Sequence, residues 1–380
     1  MNDPLKSRVA ARAREVDAEL IALSNDLHEH PETGWQEHRS AAAVAAVLAA
    51  HGFDVEQPYL GLETAFRAVR DPASATRFTV GLLAEYDALP GLGHACGHNL
   101  ISAMSVGAAL ALAAAADEVG IAVEVIGTPA EEGGGGKIAL LDRGAFTNLD
   151  FALMAHPAPV DVAEARPFAV THWHVQYDGR AAHAAAYPER GTNANDAFLI
   201  AQVALGLLRQ QLPATVRVHG VQTRGGEAPN AIPERTEGRW YVRAETTEQL
   251  LALEARVRAC FEAGALATGA RLTITPESER YAEMRTDEAA LDRYRENATA
   301  LGRNFDVDPA AATMNRASTD MGNVSQLVNA IHPYIGVGGE ASNHQPAFAA
   351  ACVGPGAEQA LRDGAVALAW TALDVARNRI

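Results

Sequence analysis

A chain of 380 residues, 48% hydrophobic and 21% charged, is too long for one ordinary core and too apolar for disorder, so two domains are expected, with three as the alternative. A formal net charge of -16, with no block of Lys and Arg, excludes a nucleic-acid partner. Residues 1–19 are charged throughout, and neither a signal-peptide pattern nor an apolar run of bilayer-crossing length is read, so no membrane partner and a cytoplasmic location are expected.

Arg8 to Leu27 has the spacing of an amphipathic helix, ended by Pro31. His28 and His30 lie two residues apart and share no helix face, so they read as cap or surface groups. An Ala-rich helix, Ser40 to His51, leads to strands near Phe53 to Val55, Thr64 to Arg70 and Phe78 to Leu83. The last of these runs on to two acids, Glu85 and Asp87. Gly93-His94-Ala95-Cys96-Gly97-His98-Asn99 then sets a thiol and two imidazoles on a tight turn before a predicted helix, Ile101 to Ala116. The other cysteines, Cys260 and Cys352, fall in apolar patterns; an odd, widely spaced set of three makes no disulfide framework.

The strand Ile121 to Gly127 ends in Glu131-Glu132-Gly133-Gly134-Gly135-Gly136-Lys137. Adjacent carboxylates on extended chain point to opposite sides, so one can bind a metal while the other moves protons. Ile138 follows Lys137 where a phosphate loop needs Ser or Thr, so the nucleotide reading fails. Leu149 to Ala155 is a further strand that delivers His156 at its end. Three successive strand ends thus present Cys96 with His98, Glu131 with Glu132, and His156, at the edge where open α/β sheets place their sites. Thiol, imidazole and carboxylate form a ligand set for zinc, with manganese or cobalt as alternatives.

From about Arg166 the pattern changes. Strands over Phe168 to Tyr177, Thr215 to Gln222, Arg235 to Ala244 and Arg271 to Thr275 alternate with helices over Asn193 to Gln211 and Thr247 to Thr268. The order βαββαβ is that of a ferredoxin-like sandwich, placed as an inserted domain over residues 166–281 between two parts of a catalytic domain, 1–165 and 282–380. A helix, Asp287 to Gly302, a strand, Ala330 to Gly336, a Gly-rich loop carrying His344 and a helix, Glu358 to Arg377, complete the chain.

Cys96-Gly97-His98, Glu131-Glu132, His156 and His344, in that order and with a sandwich inserted before the last, resemble the co-catalytic metallopeptidase family of carboxypeptidase G and aminoacylase. The resemblance covers nearly the whole chain. It is to the amidohydrolase branch, that of aminobenzoyl-glutamate hydrolase, the indoleacetyl-amino-acid hydrolases and β-alanyl-lysine dipeptidases, where a Cys-Gly-His turn replaces a bridging Asp. The resemblance implies an α/β catalytic domain with a mixed, largely parallel sheet between helices, of zinc-aminopeptidase type, and an inserted ferredoxin-like lid and dimerisation domain. It implies that Cys96, His98, Glu132, His156 and His344 hold one or two divalent ions, with the Cys96 thiolate bridging. Glu131 is then the general base, taking a proton from the attacking water and handing it to the leaving amine, and Asp87 orients a ligand imidazole. His183, in Gly179-Arg180-Ala181-Ala182-His183-Ala184, matches a lid histidine that reaches the partner subunit, while Asn230 and Arg243 match residues that hold the substrate's terminal carboxylate.

The implied activity is metal-dependent hydrolysis of the amide bond in an N-acyl-amino acid or unusual dipeptide, a small-molecule substrate, by a homodimer joined through the lid. Hydrolysis of an aryl or indole conjugate is one alternative, and an inactive metal-binding scaffold is another. Two departures stand out: Asn99 follows His98 where much of the branch has Asp, and Ala185-Ala186-Tyr187-Pro188 differs around the lid.

Overall fold

Three helices open the chain: α1 (Pro4–Glu15), α2 (Asp17–Glu29) and α3 (His38–Ala50). The structure, a computed structural model, describes residues 3–307 and 317–380. The single helix expected over Arg8 to Leu27 is broken at Val16, whose backbone (φ -99°, ψ 1°) leaves the helical region while its side chain enters the core. Next come β1 (Asp54–Glu56), β2 (Phe66–Arg70), β3 (Phe78–Glu85), α4 (His98–Val119), β4 (Ile121–Thr128), α5 (Gly136–Leu141), β5 (Phe151–Leu153) and β6 (His156–Ala158). After β7 (Ala169–Asp178), α6 (Ala194–Arg209), β8 (Arg217–Arg224), β9 (Arg235–Ala244), α7 (Thr247–Thr268) and β10 (Arg271–Pro276), the chain continues with α8 (Glu288–Ala300), α9 (Met321–Ser325), β11 (Ala330–Ile331), β12 (Tyr334–Gly336), α10 (Pro346–Ala351) and α11 (Pro355–Arg379). It falls into two units, Met1–Pro167 with Met284–Ile380, and Phe168–Glu283.

The first unit is built on a six-stranded sheet in the order β1-β2-β4-β3-β5-β11. The β1-β2 and β2-β4 pairs are antiparallel and the other three parallel, so the sheet is mixed and largely parallel. Helix α4 packs against β3, β4 and α11. An 18-residue window of α4 has a mean hydropathy of 1.7, so a run of bilayer-crossing length and composition is present, contrary to the sequence expectation. That window is 89% buried inside the protein, as befits a helix that is apolar all round at the centre of a core.

Two segments expected as single strands differ in the structure. Of Leu149 to Ala155 only β5 is strand, with His156 opening β6 after it, and Ala330 to Gly336 is divided into β11 and β12. β5 and β11 lie in the main sheet, whereas β6 and β12 pair in parallel in a separate two-stranded sheet. Pro333 has no N–H with which to continue the first ladder, and its carbonyl accepts from His156 N (2.9 Å) as the second begins. His156 therefore opens β6 rather than closing the strand before it.

The second unit holds a four-stranded antiparallel sheet in the order β10-β7-β9-β8, with α6 and α7 packed together. Its core is aromatic: Trp173, Tyr177, Phe198, Trp240 and Phe261 are all buried.

Candidate metal centre

The turn between β3 and α4 is shaped by Gly97, which takes the left-handed conformation (φ 80°) at the N-terminus of α4. A Cβ there would stand 2.8 Å from Pro157 and 3.2 Å from Cys352 Sγ, so the spacing Cys-Gly-His tolerates nothing larger in the middle. His98 becomes the first residue of α4. Its Nδ1 faces only acceptors, the Asp87 carbonyl (2.9 Å) and Asp87 Oδ1 (3.0 Å), so Nδ1 carries the proton and Nε2 keeps the lone pair a cation needs. His156 is fixed in the same way by the Pro157 carbonyl (2.8 Å to Nδ1), leaving Nε2 at 3.6 Å from Cys96 Sγ. On the other side His344 Nε2 stands 3.4 Å from Cys96 Sγ and 3.4 Å from Glu132 Oε1. His344 has a φ of 66°, and its N–H donates to the Ala95 carbonyl (2.8 Å), which ties the Gly-rich loop to the turn.

Two donor groups result, Cys96-His98-His156 and Cys96-Glu132-His344, each with its ligand atoms within 4.8 Å of one another. They share the thiol. A third set of the same compactness, Glu85-His98-Glu131, brings Glu131 Oε2 to 3.9 Å from His98 Nε2. His98 Nε2 and Glu132 Oε1 are buried without a hydrogen bond among the described residues, although Glu85 Oε2 and His344 Nε2 lie 3.3 and 3.4 Å away. Buried polar atoms without hydrogen bonds, in a donor set of thiol, imidazole and carboxylate, fit divalent cations.

The electrostatics agree. Burial, followed by the Glu132 and Glu131 carboxylates, pushes the Cys96 thiol well above its ordinary range, so a thiolate forms there only against a cation. Burial also raises Glu131 strongly, reinforced by Glu85 and Glu132, which suits a carboxyl that must hold a proton in mid-reaction. Burial opposes charge on His98, but Asp87 and then Glu85 outweigh it and draw the ring well above the usual histidine range; a cation held at Nε2 would take the place of that proton. Burial lowers His156 to about 4, so it is neutral and ready to ligate.

Three charged residues outside the expected set lie beneath this cluster, all fully buried. Lys137 Nζ is 2.5 Å from Glu85 Oε1 and 2.7 Å from Asp320 Oδ1, and Lys137 N donates to Asp320 Oδ2 (2.9 Å). Burial works against the charge on Glu85, but Lys137 and His98 outweigh it and hold the carboxyl down to about 2. Burial lifts Asp320 to about 6, against the pull of Lys137. The sequence contained the signal, a Lys closing a Gly run after paired acids, but read it only as a failed phosphate loop. Asn99 is also explained: its amide donates to Ser24 Oγ (2.9 Å) and the Cys352 carbonyl (3.0 Å), a task an Asp carboxylate cannot perform.

The remaining expected residues belong to the second unit. His183 is exposed, and its Nδ1 accepts from Ala185 N (3.3 Å) and Ala186 N (3.2 Å). Its segment pairs with the one bearing Asn230, through a His183 to Ala231 bridge and an Ala184 N to Asn230 O hydrogen bond (2.9 Å), and Asn230 is also exposed. Arg243 stands apart from them on β9, half-buried, opposite Val170 and Arg217, with its guanidinium 6.0 Å from the Tyr241 ring centre.

Sheet and donor set together describe an α/β protein equipped to hold divalent cations, and its family match makes it a metal-dependent hydrolase of amide bonds. The sequence profile described as "Peptidase family M20/M25/M40" matches residues 81–364, and the chain belongs to that family. It is 42% identical over 387 residues to Xaa-Arg dipeptidase of Mus musculus, covering 98% of this chain and 89% of the relative. It is 31% identical over 267 residues to one of the subunits of p-aminobenzoyl-glutamate hydrolase from Escherichia coli (strain K12), covering 65% of this chain and 55% of that one. The fold is shared with a dinuclear metal-binding peptidase of the M20 family from Bacillus subtilis, at a TM-score of 0.73 and 21% identity over 96% of this chain and 99% of that structure.

Proposed function

We propose that the chain is a dipeptidase of the M20 family that cleaves dipeptides ending in a cationic residue, using one or two divalent ions, zinc or manganese with cobalt as an alternative. The observation that carries this reading is the pair of donor groups sharing Cys96 with Glu131 beside them. The preference for a cationic end rests on the similarity to Xaa-Arg dipeptidase along nearly the full chain. Cys96, His98 and His156 would hold one ion, and Cys96, Glu132 and His344 a second. Ions so held supply positive charge that acidifies water and polarises the scissile carbonyl. Asp87 keeps the proton on His98 Nδ1 and accepts from Glu132 N (2.9 Å), so one carboxylate orients two ligands. Glu131 takes the proton of the attacking water and returns it to the leaving amine.

In the second unit, Arg243 holds the substrate carboxylate and His183 donates to the developing oxyanion; Asn230, on the segment paired with that of His183 and apart from Arg243, would reach the same carboxylate only from a second copy of this chain. The strand order β10-β7-β9-β8 supports a ferredoxin-like reading of this unit as lid and dimerisation domain. Leu199, Val203 and Leu207 make an exposed stripe at i, i+4 and i+8 of α6 (60, 57 and 72% exposed), and β8 is an edge strand; both suit a second copy of this chain.

The test is release of amine from Xaa-Arg and Xaa-Lys dipeptides, β-alanyl dipeptides, N-acyl-amino acids and aminobenzoyl-glutamate, with metal-free protein and after adding zinc, manganese or cobalt. Turnover should require metal and favour the cationic dipeptides. Preference for aminobenzoyl-glutamate would move the substrate to the aryl conjugates, and silence with metal bound would leave a scaffold. Mixing Glu131→Gln with His183→Ala chains should restore part of the activity if the lid histidine serves the neighbouring subunit.

A further inference from the structure

Glu37 directly precedes α3 and is fully buried, yet its carboxylate does not cap that helix. Glu32 does so instead: its Oε1 accepts from Arg39 N (3.1 Å), and its Oε2 accepts from Ser40 N and Ser40 Oγ (2.7 Å each). Glu37 Oε1 reaches away from the helix and accepts from Ala130 N (2.8 Å). Ala130 has a φ of 53°, a conformation that side-chain-bearing residues rarely adopt and that persists only where the surroundings enforce it. The next two residues are Glu131 and Glu132.

The same N-terminal loop holds the other wall of the site. Ala88 N donates to the Glu32 carbonyl (2.8 Å), and Thr33 pairs in parallel with Ala88, the residue after Asp87. Gly34 lies so close to the strained residue that a Cβ on it would stand 3.1 Å from Ala130 Cβ. One loop, residues 32–37, is therefore stitched to Ala88, next to Asp87, on one side and to Ala130, next to the paired acids, on the other.

We infer that Glu37 is a positioning residue for the paired acids: its carboxylate oxygen holds Ala130 in the left-handed conformation that delivers Glu131 to His98 and Glu132 to His344. This rests on Glu131 being the base, as proposed above. Glu37 touches no reacting atom; it acts through the backbone of residue 130.

The experiment compares Glu37→Ala, Glu37→Gln and Glu37→Ala with Ala130→Gly in the metal-loaded enzyme, alongside hydrogen exchange at the Ala130 amide in metal-free protein. Glu37→Ala should lower kcat on the order of 10- to 100-fold with little change in KM, the scale of a misplaced catalytic group. Glu37→Gln, which still presents an oxygen to Ala130 N, should stay within about twofold of the parent, because only the acceptor matters. Glycine at 130 adopts the left-handed conformation unaided and should recover most of the loss. Exchange at residue 130 should quicken in Glu37→Ala and remain slow in Glu37→Gln. Glu37→Asp keeps the carboxyl, loses the reach, and replaces the Ala variant if that does not fold. Unchanged kcat in Glu37→Ala, an equal loss in Glu37→Gln, or no recovery with Ala130→Gly would each overturn the inference. The exchange measurement needs no substrate, so failure of the proposed reaction leaves it standing, and unchanged exchange refutes the clamp by itself.

Discussion

The donor cluster of the first unit and the carboxylate-binding candidates of the second are built on opposite terms. Cys96, His98 and His156 are buried, and each imidazole has its second nitrogen committed to an oxygen of the same unit. His183 and Asn230 are exposed, and Arg243 is half-buried on a strand. Groups that must hold a cation in fixed geometry gain from burial, because low dielectric strengthens every charge interaction around them. Groups that capture a charged ligand from water must keep contact with it.

The contrast predicts effects of unequal size. Glu131→Gln should lower kcat by roughly 10²- to 10⁴-fold, the usual worth of a general base, with metal stoichiometry unchanged by calorimetry; retained turnover would remove the base from the first unit. Lys137→Met should lose about 3 to 5 kcal/mol of unfolding free energy in urea, because Glu85 and Asp320 are left buried without their cation. Adding Asp320→Asn should return part of that loss, and a neutral Lys137→Met would show that water reaches the cluster. Arg243→Ala should raise KM roughly 10- to 100-fold with kcat nearly unchanged and stability within about 1 kcal/mol, as expected for one charged hydrogen-bonding group that serves binding alone. A fall in kcat of the same size would erase the distinction between the two regions.

Much of this arrangement was legible in the chain. β9 and α7 begin and end where their periodicity places them, because long elements with one apolar face announce themselves. The residues that meet in the donor groups were singled out because they follow strands or sit beside glycines, while their roles as ligands came from the family resemblance. Burial was harder to see. Lys137 was read only as the end of a failed phosphate loop and Glu37 was not singled out, since charged side chains rarely enter a core and nothing local reveals that Asp320 or Ala130 waits across the fold. The break between β11 and β12 was missed for a related reason: His332-Pro333 interrupts an apolar run by exchanging one ladder for another, which depends on pairing partners distant in sequence. α5 was hidden by the glycines that precede it.

His344 differs from the other donors in one respect: its side chain is 55% exposed, whereas Cys96, His98 and His156 are sealed. If both donor groups hold an ion, the exposed Cys96-Glu132-His344 position would exchange with bulk solution sooner than the sealed Cys96-His98-His156 position. A brief exposure to chelator would then strip one ion before the other, leaving a half-loaded protein whose composition reflects its recent history rather than the affinities of the two positions.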